Sequence, residues 1–177
     1  AVFGHWAVGS WDPGLMSSGP FVTAPNFAQA AGDAQELSRH VERAGKILFH
    51  REGPMATVAV RQTPEGLRTL VVNGKPDAST LLDMKPQRLV GHLPLILHPA
   101  PRRALLIGLG SGVTAGAMLT HPVEKLTVVE LCPEVVDASR LFEGASGAPL
   151  DDPRLTLEIG DGRTHVRRSH ATYDVIT

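Results

Sequence analysis

ALLIGLGSGVTAG, residues 104–116, sets glycine at 108, 110, 112 and 116 inside an otherwise apolar run. Three structures would use that much missing side chain. They are a phosphate-cradling dinucleotide loop, a loop that cradles a nucleoside, and the close-packing glycine face of a membrane helix. Gly108, Gly112 and Gly116 do form two overlapping G-x-x-x-G patterns,. The uncharged stretch, however, runs only from 104 to 120, with Arg102 and Arg103 before it and His121-Pro122 after it. A membrane span needs roughly 20 strongly apolar residues, so length argues against that reading.

The flanks bear on the other two. RRALLIG (102–108) reads as an apolar strand entered through charge, and VTAGAMLTH (113–121) as a short helix stopped by His121-Pro122,. KLTVVEL (125–131) is a second, β-branched strand ending near Glu130. PEVVDASRLF (133–142) opens with proline at a first helical position and keeps Val135, Val136, Leu141 and Phe142 near helical spacing,. RLTLEIGDGR runs a third strand into Asp161-Gly162, THVRRSH (164–170) is a short helix, and YDVIT (173–177) a fourth strand. Alternating strands and helices predict an α/β fold with a parallel, doubly wound sheet whose ligands lie at the carboxyl ends of its strands.

A dinucleotide fingerprint, G-x-G-x-x-G, needs glycine at position 113, and that residue is Val113. The spacing here is G-x-G-x-G. Glycine lets a ligand approach the main chain with no Cβ in the way, and a third glycine this early suits a flat adenosine better than a pyrophosphate. Glu130, about twenty residues on at the end of the second strand, can accept from both ribose hydroxyls. Asp161, at the end of the third, is placed to accept from an adenine amino group. The plain alternative for either acid is a strand-end residue that caps the following helix.

These segments resemble the spermidine synthases, the polyamine aminopropyltransferases, and among them the spermidine synthase-like domains fused to multi-spanning bacterial membrane proteins. VVNGKPDAST (71–80) resembles the family's glycine turn, HLPLILHPAPRRALLIGLGSG (92–112) the lead into its first Rossmann strand, VEKLTVVEL (123–131) the second strand and DPRLTLEIGDGR (152–163) the third. YDVIT resembles the strand before the catalytic loop, and WDPGLMSSGPFV (11–22) a stretch of the fused subgroup. The resemblance implies a Rossmann-like, class I methyltransferase-type sheet preceded by a small antiparallel sheet. It also implies that Gly108, Gly110, Ser111 and Gly112 line a nucleoside, that Glu130 with Leu131 holds the ribose, and that Asp161 with Gly162 holds the adenine. The co-substrate implied is decarboxylated S-adenosylmethionine or S-adenosylmethionine, with no metal, and an amine as acceptor.

The departures concern the amine side. Met55-Ala56 stands where free-standing members have Tyr-Gln, Asp77 where they have Gln, and Pro86-Gln87-Arg88 where they have Tyr-His-Glu. Ser111 replaces an aspartate. Two negative charges are lost and one positive charge gained, which weakens the case for a cationic substrate. Asp77 and Gln87 remain the candidate substrate contacts. The family's general base, an aspartate just after the YDVI strand, falls beyond Thr177. The chain therefore reads as a fragment, inactive alone, with its parallel sheet incomplete at the C-terminus.

Composition fits an ordinary globular chain: 177 residues, 42% hydrophobic, 20% charged, net charge −1,. No basic run makes an electrostatic case for nucleic acid. One cysteine, Cys132, excludes an internal disulfide and suits a reducing compartment,. The eight histidines show no metal-binding spacing, and His92 is read as a structural helix residue,. Residues 1–45 read as an irregular lead-in and a surface helix with Asp33 as cap and Gly45 as stop. Residues 46–83 read as a small antiparallel sheet of three strands, KILFHRE, MATVAVRQ and LRTLVVN, with a TPEG hairpin turn. Residues 84–177 read as the first part of the Rossmann-like domain. Two functions stay open: transfer from an adenosyl sulfonium, aminopropyl or methyl, and a non-catalytic nucleoside-binding domain of a membrane protein. The resemblance further implies a cytoplasmic setting, a possible membrane fusion outside this chain and a homodimer in the complete protein.

Overall fold

The computed structural model describes residues 12–18, 34–43, 45–81 and 83–177. Trp6, Trp11 and Asp33 lie outside these residues. A helical turn, α1 (Pro13–Met16), is capped by Asp12, whose carboxylate accepts from the amides of Gly14 and Leu15,. Helix α2 (Ala34–Arg43) follows, with Gly45 at φ +87° just beyond it,.

The first sheet has four antiparallel strands in sequence order: β1 (Lys46–Glu52), β2 (Thr57–Gln62), β3 (Arg68–Val72) and β4 (Lys75–Ser79). Three strands follow the alternation in the sequence. The fourth corrects the reading of residues 71–80 as a turn alone. Asn73 and Gly74, at φ 51° and 76°, make the two-residue turn with both central φ positive that hairpins favour, and Val72 pairs with Lys75 across it,. Arg61, buried on β2, donates to the carbonyls of Gly14, Val41 and Gly45 and to Ser17 Oγ, so one guanidinium ties α1 and α2 to this sheet. Desolvation holds its pKa down, partly offset by Asp12,.

Helix α3 (Met84–Leu97) leads into the second sheet, which is parallel throughout and ordered β7-β6-β5-β8. Its strands are β5 (Arg103–Ile107), β6 (Lys125–Glu130), β7 (Leu155–Ile159) and β8 (Val175–Ile176). Between them run α4 (Val113–Leu119), α5 (Pro133–Ser139), the short α6 (Glu143–Ser146) and α7 (Gly162–Arg168). The chain steps outward from β5 to β6 to β7 and then returns to the far side of β5. That reversal makes a topological switch point between the carboxyl ends of β5 and β8.

Two cores hold this together. One packs α3, α4 and the parallel sheet through Leu95, Leu106, Met118, Leu126 and Val128. The other joins the antiparallel sheet to the helical layer over the parallel one: Val58, Val60 and Leu70 bury against Val135 and Ala138 of α5 and Phe142 just after it. At about 1.5–3 kcal/mol for each fully buried side chain of this size, such a shared core is a strong tie. Arg51–Asp137 and Arg68 to the Leu141 carbonyl reinforce it. No helix among the described residues is long and apolar enough to cross a membrane.

Candidate functional site

The glycine loop begins where β5 ends, at the switch point. Gly108, Gly110 and Gly112 all have positive φ, +91°, +56° and +80°, a region where a side chain is strained,. The glycines divide by surroundings. A Cβ built on Gly108 or Gly110 would meet no protein atom within 4 Å. On Gly112 it would meet Pro149 at 3.3 Å, and on Gly116 the Ser146 carbonyl oxygen at 1.8 Å. Two glycines open a surface to the outside and two let the residue 146–149 segment close on α4. The G-x-x-x-G spacing of 112 and 116 is thus a packing face in a helix of seven residues.

Glu130 ends β6 with only 7% of its surface exposed. Its Oε2 accepts from Leu109 N at 2.8 Å and its Oε1 from Cys132 N at 2.9 Å. One carboxylate therefore fixes both the glycine loop and the entry to α5. Each oxygen keeps a second lone-pair direction for a ligand hydroxyl. Cys132 is buried beside it, and burial, with Glu130 and Glu134 adding, pushes its thiol pKa up, the opposite of a nucleophile's environment,.

Asp161 follows β7 and caps α7, Oδ1 accepting from Thr164 N at 2.7 Å. The Thr164 hydroxyl, and then its amide, hold this carboxyl below the usual range,. The capping role is present, and the exposed carboxylate still stands at a strand end. Gly162 is buried, and a Cβ there would lie 2.4 Å from Ile107 Cγ2, so glycine lets α7 start directly against the end of β5. Ile107, Leu131 and Ile159 are all roughly half exposed on the ends of three adjacent strands. Ile107 and Ile159 are not among the residues the sequence singles out. An apolar residue closing a strand directly before a glycine, Gly108 or Gly160, is the signal that marks them. Such a rim suits one face of a flat aromatic ring.

The remaining candidates are placed differently. Ser111 is 1% exposed, and its hydroxyl donates to Gln87 Oε1 at 2.6 Å. Its side chain turns inward, away from the opened glycines, leaving its main chain to line the loop. Gln87 is brought to Ser111 from the first turns of α3. Asp77 sits half exposed on β4 and pairs with Lys75 Nζ at 3.7 Å on its own strand. Arg88 is exposed on α3. His92 meets His121, Nδ1 to Nε2 at 2.9 Å, and burial, with His92 adding, lowers the pKa of His121. Among the described residues no group of three or more His, Cys, Asp or Glu side chains could hold a metal ion.

Two cavities lie off the strand ends. One of about 370 Å³ is lined by Met16, His50, Glu52 and Asn73, and one of about 550 Å³ by Arg88, His92, Thr120 and Ser146. Neither includes Gly108, Gly110, Glu130 or Asp161. The candidate site is an open rim along β5, β6 and β7, bounded by backbone that glycine exposes, a fixed carboxylate and half-exposed apolar side chains.

Comparison with known proteins gives a consistent result. The family model of the spermine/spermidine synthase domain matches residues 84–177. The polyamine aminopropyltransferase of Moorella thermoacetica is 34% identical over 135 residues, 76% of this chain and 48% of that protein. The spermidine synthase of Dictyostelium discoideum is 33% identical over 132 residues, 74% of this chain and 46% of that protein. Among solved structures, a spermidine synthase in complex with the transition state analogue AdoDATO superposes with a TM-score of 0.68 at 26% identity, covering 74% of this chain and 46% of that one. The spermidine synthase from Thermotoga maritima gives the same score and identity, with 45% of its chain covered. This chain spans about half the length of the relatives it matches.

Proposed function

The chain belongs to the spermine/spermidine synthase domain family, and on that premise we propose that it forms the nucleoside-binding part of an aminopropyltransferase. The ligand is the adenosyl sulfonium of decarboxylated S-adenosylmethionine, and the acceptor is a small amine. Gly108, Gly110 and the main chain of Ser111 and Gly112 face the adenosyl group. Glu130 takes the ribose hydroxyls with Leu131 alongside, and Asp161 with Gly162 borders the adenine. Asp77 is the candidate acceptor contact from the antiparallel sheet.

One observation carries this reading. The opened glycines, the fixed Glu130 and the strand-end Asp161 follow three adjacent parallel strands, β5, β6 and β7, beside the switch point. In the transfer, the amine nitrogen attacks the carbon next to sulfur, the carbon–sulfur bond breaks, and its electrons leave on a neutral thioether. The amine must be neutral to attack, so a base removes its proton. The family resemblance puts that base after Thr177. The same resemblance supports a homodimer, a cytoplasmic setting and a possible membrane-domain fusion for the complete protein.

The test is calorimetry on this chain with decarboxylated S-adenosylmethionine, S-adenosylmethionine and methylthioadenosine. Binding of all three, lost in Gly110→Val, is expected. Binding of none would sink the nucleoside reading. In the complete protein, putrescine should be converted with the decarboxylated donor. Methyl transfer from S-adenosylmethionine instead would replace the reaction while keeping the site.

A further inference from the structure

Helix α3 begins with an aspartate that does not do what aspartate ordinarily does there. Asp83 is the N-cap residue, yet its side chain makes no cap bond to the first-turn amides,. It turns back to the antiparallel sheet and inward along the helix. Oδ2 accepts from Ser79 N at 2.7 Å and from Gln87 Nε2 at 2.6 Å, and Oδ1 accepts from Ser79 Oγ. Gln87 passes the chain on: its Oε1 accepts from Ser111 Oγ at 2.6 Å and its carbonyl from Thr114 Oγ1 at 3.0 Å. The line runs from the last residue of β4, through one helical turn, to the middle of the glycine loop.

Donors and acceptors alternate along it without a gap. Ser111 gives its only proton to Gln87, Gln87 gives an amide proton to Asp83, and Asp83 holds the end of β4. In a partly buried network an unmade bond still costs more than a made one contributes, so such a chain fixes the position of its members,. Ser111 stands between Gly110 and Gly112, both at positive φ, and its bond to Gln87 is a second side-chain restraint on the loop beside that of Glu130 on Leu109.

We propose that Asp83 and Gln87 are positioning residues that hold the glycine loop in its ligand-accepting shape and make that shape depend on how β4 is docked. Gln87 thereby acts through Ser111, and the acceptor is met elsewhere. The ligand-affinity part of this inference rests on the nucleoside reading above; the loop-ordering part does not.

The experiment uses this chain with Gln87→Met, which keeps the shape of the side chain and removes both bonds, and with Ser111→Ala and the double variant. Hydrogen exchange of the unliganded proteins should show faster exchange at the amides of 110–112 in either single variant, with β6 and β7 protected as before. Methylthioadenosine should bind about tenfold more weakly to each, about 1.4 kcal/mol, and the double variant should lose little more than either single one. Gln87→Glu, which keeps the acceptor for Ser111 but sets a carboxylate against Asp83, should also loosen the loop. Unchanged exchange at 110–112, or a lower melting temperature with loop exchange and affinity both unchanged, would overturn the proposal. If the parent binds no adenosyl compound, the nucleoside reading fails while the exchange data still decide the relay.

Discussion

Within nine residues, 108 to 116, the same amino acid does two opposite things. Gly108 and Gly110 face empty space, and Gly112 and Gly116 face protein, to the point that the Ser146 carbonyl occupies the place of a Cβ on Gly116. On the outer pair, the missing side chain gives a ligand access to the main chain. On the inner pair, it lets two segments of the protein touch. A glycine count cannot tell these apart, and what lies beyond each Cα does.

The widest gap between the two pairs should appear in Gly116→Val. With backbone oxygen at 1.8 Å from the new Cβ, α4 and the residue 146–149 segment must separate, at a cost above roughly 3 kcal/mol. Loss of soluble folded protein, or a large fall in melting temperature, is the expected result. Gly110→Val is the counterpart. It carries left-handed strain of about 1–2 kcal/mol but meets no neighbour, so circular dichroism should stay native while adenosyl affinity disappears. A Gly116→Val protein that folds and binds, or a Gly110→Val protein that binds as the parent does, would dissolve the distinction.

Glu130→Ala sharpens the comparison from the side of the carboxylate, which serves both ligand and fold. Adenosyl affinity should fall by roughly 1.5–3 kcal/mol, the range for hydrogen bonds to a charged group. Stability should fall as well, since the amides of Leu109 and Cys132 lose their acceptor. Calorimetry and urea unfolding separate the two losses, and an affinity change without a stability change would mean the loop has another anchor.

The smallest effect is a pH effect. Asp161 is held below the usual carboxyl range by Thr164, Asp152 by Arg154, and Asp174 by the amides of Arg103 and Arg102. A folded pKa below the unfolded value, about 3.9, gives stability that is complete above that value and is lost as pH falls through the folded one. Melting temperature should therefore be flat near neutrality and drop below about pH 4. Asp161→Asn keeps an acceptor for Thr164 without a titrating group, so it should lower the neutral melting temperature slightly and make that drop shallower, the two proteins converging in acid,. If it also weakens adenosyl binding at pH 7, the carboxylate's other oxygen faces the ligand.

Much of this was legible beforehand, for reasons that can be named. The two central parallel strands, β5 and β6, show as apolar runs because strands covered on both faces leave no polar alternation to misread, while the edge strand β7 keeps the alternation LTLEI before Asp161-Gly162,. β4 is hard to see because Lys75, Pro76 and Asp77 look like a turn, although Asn73-Gly74 is the better signal for a hairpin and therefore for a returning strand. Gln87 and Ser111, which the resemblance assigns to different ligands, also hydrogen-bond each other, 24 residues apart. No local pattern records such a pairing. Arg154, which fills the end of α4 by donating to the carbonyls of Leu119, His121 and Val123, gave no sign in the sequence either.

The family match opens at residue 84, but the core formed by Val58, Val60 and Leu70 with Val135, Ala138 and Phe142 straddles that point. Homology and cooperativity thus draw their borders in different places. A protein trimmed to the matched residues would present α5 and Phe142 bare to water, a patch of the kind that drives misfolding during expression. The hairpins of the first sheet, built from neighbours in sequence, can form early and offer a template on which the slower, non-local parallel strands condense. On this view the antiparallel sheet acts as an intramolecular chaperone for the parallel one, and heat should melt both sheets in a single transition.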